Sequence, residues 1–192
     1  MGALTYLKNL ISDPNIASVT PTSSFGVQKM CSAIDFPNTK LIVEYGSATG
    51  VFTRYLLERL PASAKVIALD TNLNFVNELS RSLIDPRLSI FHESAEHVRE
   101  KVAQSGISHA DYIISGIPFS FLEHDLADRI VNHTHAALRP AGKFLVYQFL
   151  KPIGKNTKGI HQHLPNHFTD IKRDTELRNI PPLVLYEATK SP

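Results

Sequence analysis

A chain of 192 residues with 43% hydrophobic and 20% charged residues has the composition of one folded domain, which excludes wholesale disorder, a collagen repeat or a coiled coil. Twenty Lys and Arg against eighteen Asp and Glu leave +2, which gives no sign of a dedicated nucleic-acid binder. One cysteine, Cys31, cannot close an intramolecular disulfide, which fits a reducing, cytoplasmic setting. The sequence shows no apolar run of the ~18–20 residues a membrane span needs, and its N-terminus lacks the pattern of a secretory signal.

From the N-terminus, the spacing of apolar residues predicts a short amphipathic helix over Leu4–Ile11, stopped by Pro14, and a second helix over Phe25–Ala33. Short apolar runs then alternate with helical patterns. Strands are expected at Lys40–Tyr45, Lys65–Asp70, Leu88–His92, Tyr112–Ser115 and Lys143–Phe149, with helices near Thr49–Leu60, Asn72–Leu83, Glu96–Gln104 and Leu122–Leu138. Arg139-Pro140-Ala141-Gly142 is expected to end the last helix, and two extended runs, Phe168–Leu177 and Leu183–Thr189, to form an antiparallel hairpin on the sheet edge. Such alternation implies an α/β, doubly wound sheet with right-handed crossovers. Five β-α units followed by two strands without a long helix between them form the pattern of a Rossmann-like class I methyltransferase fold, seven-stranded and mostly parallel with an antiparallel last strand. Residues 1–39 read as an N-terminal helical extension packed on the core, and residues 40–192 as the methyltransferase domain.

The end of the first strand reads Glu44-Tyr45-Gly46-Ser47-Ala48-Thr49-Gly50, with a helical run following. Gly46 permits a tight turn and Gly50 close helix–strand packing, and the helix start offers free N–H groups to a polar ligand. Asp70 closes the second strand 20 residues beyond Gly50, where a carboxylate accepts from ribose hydroxyls, and Thr71-Asn72 caps the next helix. The loop lacks the full glycine set of a dinucleotide site, which favours S-adenosylmethionine, whose amino group Glu44 can pair. After the third strand, Ser94-Ala95 stands where related folds place an acidic residue and alanine around adenine, and Ser94 equally suits a helix N-cap. The fourth strand ends Ser115-Gly116-Ile117-Pro118-Phe119, a polar-x-x-Pro-aromatic turn. Ser115 and the backbone at Gly116 and Ile117 would orient a nitrogen nucleophile at the methyl carbon, with Phe119 packed near the target. A strand-to-helix loop with a buried Phe119 is the plain structural alternative.

These segments, together with Val19-Thr20-Pro21-Thr22-Ser23-Ser24 and Asn179-Ile180-Pro181-Pro182-Leu183-Val184, resemble the bacterial phospholipid N-methyltransferases, class I S-adenosylmethionine enzymes that methylate phosphatidylethanolamine or related amino lipids. The resemblance runs over nearly the whole chain. It implies S-adenosylmethionine as cofactor, held by Glu44, Tyr45, Gly46, Ser47, Ala48, Gly50, Asp70, Thr71, Ser94, Ala95 and Ser115. It implies methyl transfer at Ser115, Gly116, Ile117 and Phe119, and an amino-lipid or other amine substrate. The chain departs from the family at Ala48, where a glycine is usual, at Ser94, at Phe119, and in an N-terminal helix with Lys8 as its one base.

A primary lipid amine with pKa near ~10.4 costs about 4–5 kcal/mol to present neutral at pH 7, so a base is wanted; the candidates are Tyr147 at the fifth strand end, His124 and Glu123. Other readings stay open: an rRNA adenine or small-molecule methyltransferase, or a non-catalytic S-adenosylmethionine-binding module on the same fold, suggested by Ala48 and Ser94. His161, His163 and His167 have ligand-like spacing without a Cys or carboxylate partner, and methyl transfer from a sulfonium needs no metal. Leu4, Leu7, Leu10 and Ile11 share one helical face that suits either a peripheral membrane contact or packing on the domain. Lys151, Lys155, Lys158 and His161 read as a solvated loop or a contact for lipid phosphate or nucleic acid.

Overall fold

The computed structural model describes residues 22–149 and 159–192. The elements run α1 Ser24–Cys31, β1 Leu41–Tyr45, α2 Val51–Leu57, β2 Lys65–Asp70, α3 Leu73–Ser82, β3 Leu88–His92, α4 Val98–Gln104, β4 Ala110–Ser115, α5 His124–Ala137, β5 Leu138–Phe149, β6 Asp170–Glu176 and β7 Leu183–Thr189. One seven-stranded sheet has the order β3-β2-β1-β4-β5-β7-β6. β1 to β5 pair in parallel, and β7 runs antiparallel to both β5 and β6, so β7 alone opposes the other six. The edge hairpin expected from the two C-terminal runs is present, with β7 inserted between β5 and β6.

Period-two alternation assigns each strand residue to a face. Leu41, Val43 and Tyr45 of β1 pack with Val98, Ile130 and Val131 of α4 and α5, while Ile42 joins Val27, Met30, Phe52 and Leu56 of α1 and α2. The sheet is therefore covered on both faces, which is why β1 and β4 are buried at every position. Asp111 secures the amino-terminal end, accepting from the Lys40 and Leu41 amides at 2.8 and 3.0 Å and from Arg139 Nε at 2.6 Å. Breaking this buried carboxylate's bonds would free the start of β1.

Several boundaries differ from the sequence expectation, each for a local reason. The helix expected over Thr49–Leu60 begins at Val51, because Gly50 sits at the N-cap with φ +79°, outside helical geometry. The first turn of the helix expected from Glu96 is a 3-10 turn, Ala95–His97, capped by Ser94 Oγ. Arg139-Pro140-Ala141-Gly142 does end α5, but as part of β5 and not as a loop. Pairing with β4 starts at Leu138–Ala110 and shifts register before Tyr112–Lys143, where Ala141 takes φ +57°. The Leu4–Ile11 helix, its Pro14 stop, and Lys151, Lys155 and Lys158 lie outside the described residues.

Gly50 has no room for a side chain: a Cβ there would collide with Leu79 Cδ1 of α3 and would have to adopt φ +79°. Gly50→Ala is therefore expected to lower stability by about 1–3 kcal/mol, read as a Tm several degrees lower in thermal unfolding. Ala48→Gly, which relieves a positive φ of 44°, is expected to leave the Tm unchanged or slightly raised.

Candidate functional site

At the carboxyl ends of the parallel strands the ladder carries over into the loops. Glu93 N donates to Asp70 O at 3.1 Å, Gly46 N to Leu69 O at 2.8 Å, and Gly116 N to Tyr45 O at 3.0 Å. The β1 loop and the β4 loop thereby lie side by side at the point where strand order reverses, the crevice in which open α/β sheets bind ligands. A Cβ on Gly46 would meet Gly116 C and Ile117 within 3.8 Å, so the two loops touch across this crevice.

Glu44 lies on the α1/α2 face of β1, and the residue is 3% exposed. Its one hydrogen bond among the described residues comes from Thr53 Oγ1 at 2.6 Å, from the first turn of α2. Burial, with a smaller push from the Asp70 charge, raises its pKa to about 8 against the relief from Thr53. A buried carboxylate with one neutral donor is electrostatically incomplete. Ser47 Oγ, three residues further along in the same loop, is also buried and has no hydrogen-bond partner among the described residues.

Asp70 braces the loop from the neighbouring strand. Its Oδ2 accepts from Ala48 N at 2.9 Å and its Oδ1 from Asn72 N at 2.8 Å. Burial raises its pKa, and those two amides and His92 partly offset the rise. This contact holds Ala48 in its left-handed conformation at the position of the missing glycine. Asn72, and not Asp70, is the N-cap of α3, accepting from Asn74 N at 2.9 Å. Thr71 is exposed, with His92 Nε2 3.0 Å from its carbonyl. Ser94 Oγ accepts from Glu96 N at 3.2 Å, so it performs the capping role that the sequence offered as its alternative, and Ala95 beside it is buried.

In the fourth-strand turn, Ser115 is fully buried and its hydroxyl accepts from Ile117 N at 3.2 Å, fixing the turn from inside. Ile117 is half-buried beside the crevice. Two side chains expected at the ligand are in the core. Phe119 is 1% exposed and belongs to the cluster under α4 and α5, because the 3-10 turn Phe119–Phe121 points its ring inward. Tyr45 is likewise buried, its hydroxyl 3.0 Å from Thr134 Oγ1 of α5, so only its carbonyl reaches the loops.

The sequence motifs without an assigned role prove to be neighbours. Asn179 Oδ1 accepts from Ser23 N at 2.7 Å, and its Nδ2 donates to Pro181 O at 2.7 Å, so the Thr22-Ser23-Ser24 and Asn179-Ile180-Pro181-Pro182 segments clasp. Thr22 in turn is hydrogen-bonded to the Tyr147 phenol, which stacks on Phe52 at 5.1 Å between ring centres. That phenol occupies the place a side chain on Gly116 would need, its Cζ 2.8 Å from the position of such a Cβ. Burial pushes the Tyr147 hydroxyl up to about 12, so at neutral pH it keeps its proton and is no base. The His124 ring lies tilted against His163 at 4.8 Å between centres, and Asp128 Oδ1 lies 3.6 and 3.4 Å from His163 and His167. His161 stacks on Tyr186 instead. Among the described residues no group of three or more His, Cys, Asp or Glu is placed to hold a metal ion.

A family model described as a methyltransferase domain matches residues 42–142, more than half of the chain. The chain belongs to this methyltransferase family. It is similar to the ornithine lipid N-methyltransferase of Singulisphaera acidiphila, 23% identical over 172 residues that span 89% of this chain and 86% of the relative. Among solved structures, the N-methyltransferase NodS from Bradyrhizobium japonicum WM9 in complex with S-adenosyl-L-homocysteine superposes with a TM-score of 0.69 at 11% identity, covering 99% of each chain. Magnesium protoporphyrin IX methyltransferase from Synechocystis PCC 6803 with bound S-adenosylmethionine superposes with a TM-score of 0.68 at 10% identity, covering 100% of this chain and 98% of that one. The last two show a shared fold. Within this methyltransferase, the residues of the β1 and β2 loops fit a cofactor with a cationic amino group and a ribose: a buried carboxylate lacking a cation, an orphaned Ser47 hydroxyl, and Asp70 with lone pairs beyond its two amides.

The sign of the Glu44 effect is testable without any ligand. An acid whose folded pKa is raised to about 8 from an ordinary 4.5 binds more protons folded than unfolded between those values, so its contribution to stability is present at low pH and lost as pH rises through about 8. Glu44→Gln is expected to be more stable than the native protein at pH 8.5 and to lose that advantage by pH 5, in denaturant titrations at both pH values.

Proposed function

We propose that the protein is an S-adenosylmethionine-dependent N-methyltransferase acting on the amine of an amino lipid, with residues 40–192 as catalytic domain and 1–39 as an N-terminal extension. S-adenosylmethionine is the cofactor and supplies, when bound, a methyl group on a positively charged sulfur. Glu44 pairs the cofactor's amino group, Gly46 to Gly50 form the loop under it, and Asp70 accepts from the ribose hydroxyls. Thr71, Ser94 and Ala95 border the adenine side. Ser115 holds the following turn so that the Gly116 and Ile117 backbone faces the acceptor nitrogen, and Ile117 fences it.

The observation that carries the acceptor class is the Ser23–Asn179 clasp behind Tyr147 and Gly116. It joins two of the segments that carry the resemblance to the amino-lipid enzymes, the Asn-x-Pro-Pro piece being among the more specific of them, and places them behind the Ser-Gly-x-Pro turn. Similarity to an ornithine lipid N-methyltransferase along 89% of the chain supports the same reading. The protonated Tyr147 hydroxyl, buttressed by Thr22 and Phe52, supports a positioning role for it at the acceptor nitrogen. The acceptor amine must lose its proton before attack, and Tyr147, which keeps its own, does not take it. Transfer is then a direct displacement: the nitrogen lone pair forms the new bond to the methyl carbon as the carbon–sulfur bond breaks.

Labelled methyl transfer to phosphatidylethanolamine vesicles, to ornithine-type lipid, to free small amines and to rRNA tests this reading; label in the lipid fractions is expected, and label in rRNA alone would overturn it. Asp70→Ala is expected to weaken cofactor binding about tenfold or more, measured by calorimetry. The same calorimetry in buffers of different ionisation enthalpy is expected to show release of a proton on binding at pH 7, because the arriving ammonium lowers the raised Glu44 pKa, and Glu44→Gln is expected to abolish that release. Tyr147→Phe is expected to lower kcat with cofactor affinity kept within about threefold.

A further inference from the structure

Among the described residues five large hydrophobic side chains stand out into solvent: Phe25, Leu73, Ile84, Leu177 and Ile180. Single exposed apolar residues are ordinary, but a cluster of them marks an interaction surface. Leu177 and Ile180 are 67% and 76% exposed on the β6–β7 turn, and Phe25, 46% exposed, opens α1 against that same turn. Two segments about 150 residues apart in sequence therefore bring three of the five to one place.

The patch is held in shape. The Arg178 guanidinium lies over the Phe25 ring at 4.4 Å and is tied to Glu176, with Nε–Oε1 at 2.9 Å and Nη2–Oε2 at 2.7 Å. Asn179, between Arg178 and Ile180, is locked to Ser23 and Pro181. Lys29 anchors α1 to β6 through the Thr175 carbonyl at 2.6 Å and Asp174 at 2.9 Å. The charges flanking the patch thus come as two closed couples, Arg178 with Glu176 and Lys29 with Asp174. Each of these two couples, among the described residues, is neutral in sum.

Topology sets the direction in which the patch faces. β7 begins at Leu183 opposite Phe149, the last residue of β5, so the β6–β7 turn stands at the carboxyl edge of the sheet beside the methyl-transfer turn. One layer separates them: Thr22 and Tyr147.

We propose that Phe25, Leu177 and Ile180 form a docking surface for an electrically neutral, zwitterionic lipid surface, which seats the acceptor crevice against the headgroup layer. This rests on the lipid-amine reading of the acceptor. The internally closed charge couples fit a headgroup layer whose own charges cancel, and they supply no attraction to nucleic acid or to anionic lipid beyond that of a neutral surface. Anchoring by three side chains is shallow and reversible, as release of a methylated lipid requires.

The test is flotation of the full chain with vesicles of phosphatidylcholine, of phosphatidylcholine with phosphatidylethanolamine, and of phosphatidylglycerol, at about 0.1 and about 0.5 M salt. Binding to both zwitterionic vesicles is expected, changing less than about twofold with salt. The double variant Leu177→Asp with Ile180→Asp alters two exposed positions and is expected to bind at least about tenfold more weakly, with thermal unfolding and cofactor affinity preserved. Equal flotation of a folded double variant overturns the proposal. So does binding confined to phosphatidylglycerol and lost in salt, or a dimer in sedimentation that the double variant dissociates, which would assign the patch to a second copy of the chain. If the double variant loses vesicle binding while neither form methylates any amino lipid, the docking surface stands and the lipid-amine reading falls.

Discussion

The ladder of hydrogen bonds that overruns β3, β1 and β4 by one residue is the constraint on which the site depends. Gly46 bonds back to Leu69, Gly116 to Tyr45, and Glu93 to Asp70, so each loop is fixed by the last residues of the strand beside it. Loops joined this way inherit the precision of the sheet, whose interior strands are buried on both faces. Binding groups set on rigid elements lose little conformational entropy when a ligand arrives.

Against that rigid frame the charge distribution at the cleft is unbalanced by design of the fold. Glu44 is buried with one hydroxyl donor, while Asp70 spends its oxygens on two backbone amides and so stiffens the glycine loop. The free protein lowers the cost of the buried Glu44 by holding a proton on it near neutral pH. Stability is surrendered at Glu44 and recovered in the ladder and the aliphatic core, a division common where a site must receive a charged group. Ala48 follows the same logic on a smaller scale. Its positive φ is tolerated because its amide is claimed by Asp70.

The second half of the site comes from the ends of the described chain. α1 and the β6–β7 turn contribute no residue to the central parallel strands, yet they determine what lies over the Ser115–Ile117 turn, through Thr22, Asn179 and the Tyr147 ring they enclose. In the proposed reading, these peripheral pieces, and not the central strands, border the acceptor. Fold and cofactor chemistry are therefore separable from acceptor choice within one compact body.

Period, glycines and carboxylates were enough to read the alternation of strands and helices, the position of Glu44 at a strand end and the 20-residue step from Gly50 to Asp70, because these depend on local backbone geometry. Direction of individual side chains was not legible. Phe119 and Tyr45 both looked like ligand contacts by position, and both turn into the core, since a 3-10 turn in one case and strand alternation in the other decides which way a ring points. Ser94 and Ser115 spend their hydroxyls on neighbouring amides, a choice made by loop conformation and not by residue type. The β5 boundary moved because a bulge at Ala141 lets pairing resume within a segment whose Pro and Gly read as a stop. Only the tertiary structure could bring Ser23 to Asn179, or assemble Phe25, Leu177 and Ile180 on one face. Contacts across more than 150 residues leave no periodic trace in sequence: they arise from the insertion of β7 between β5 and β6, which is a property of the closed sheet.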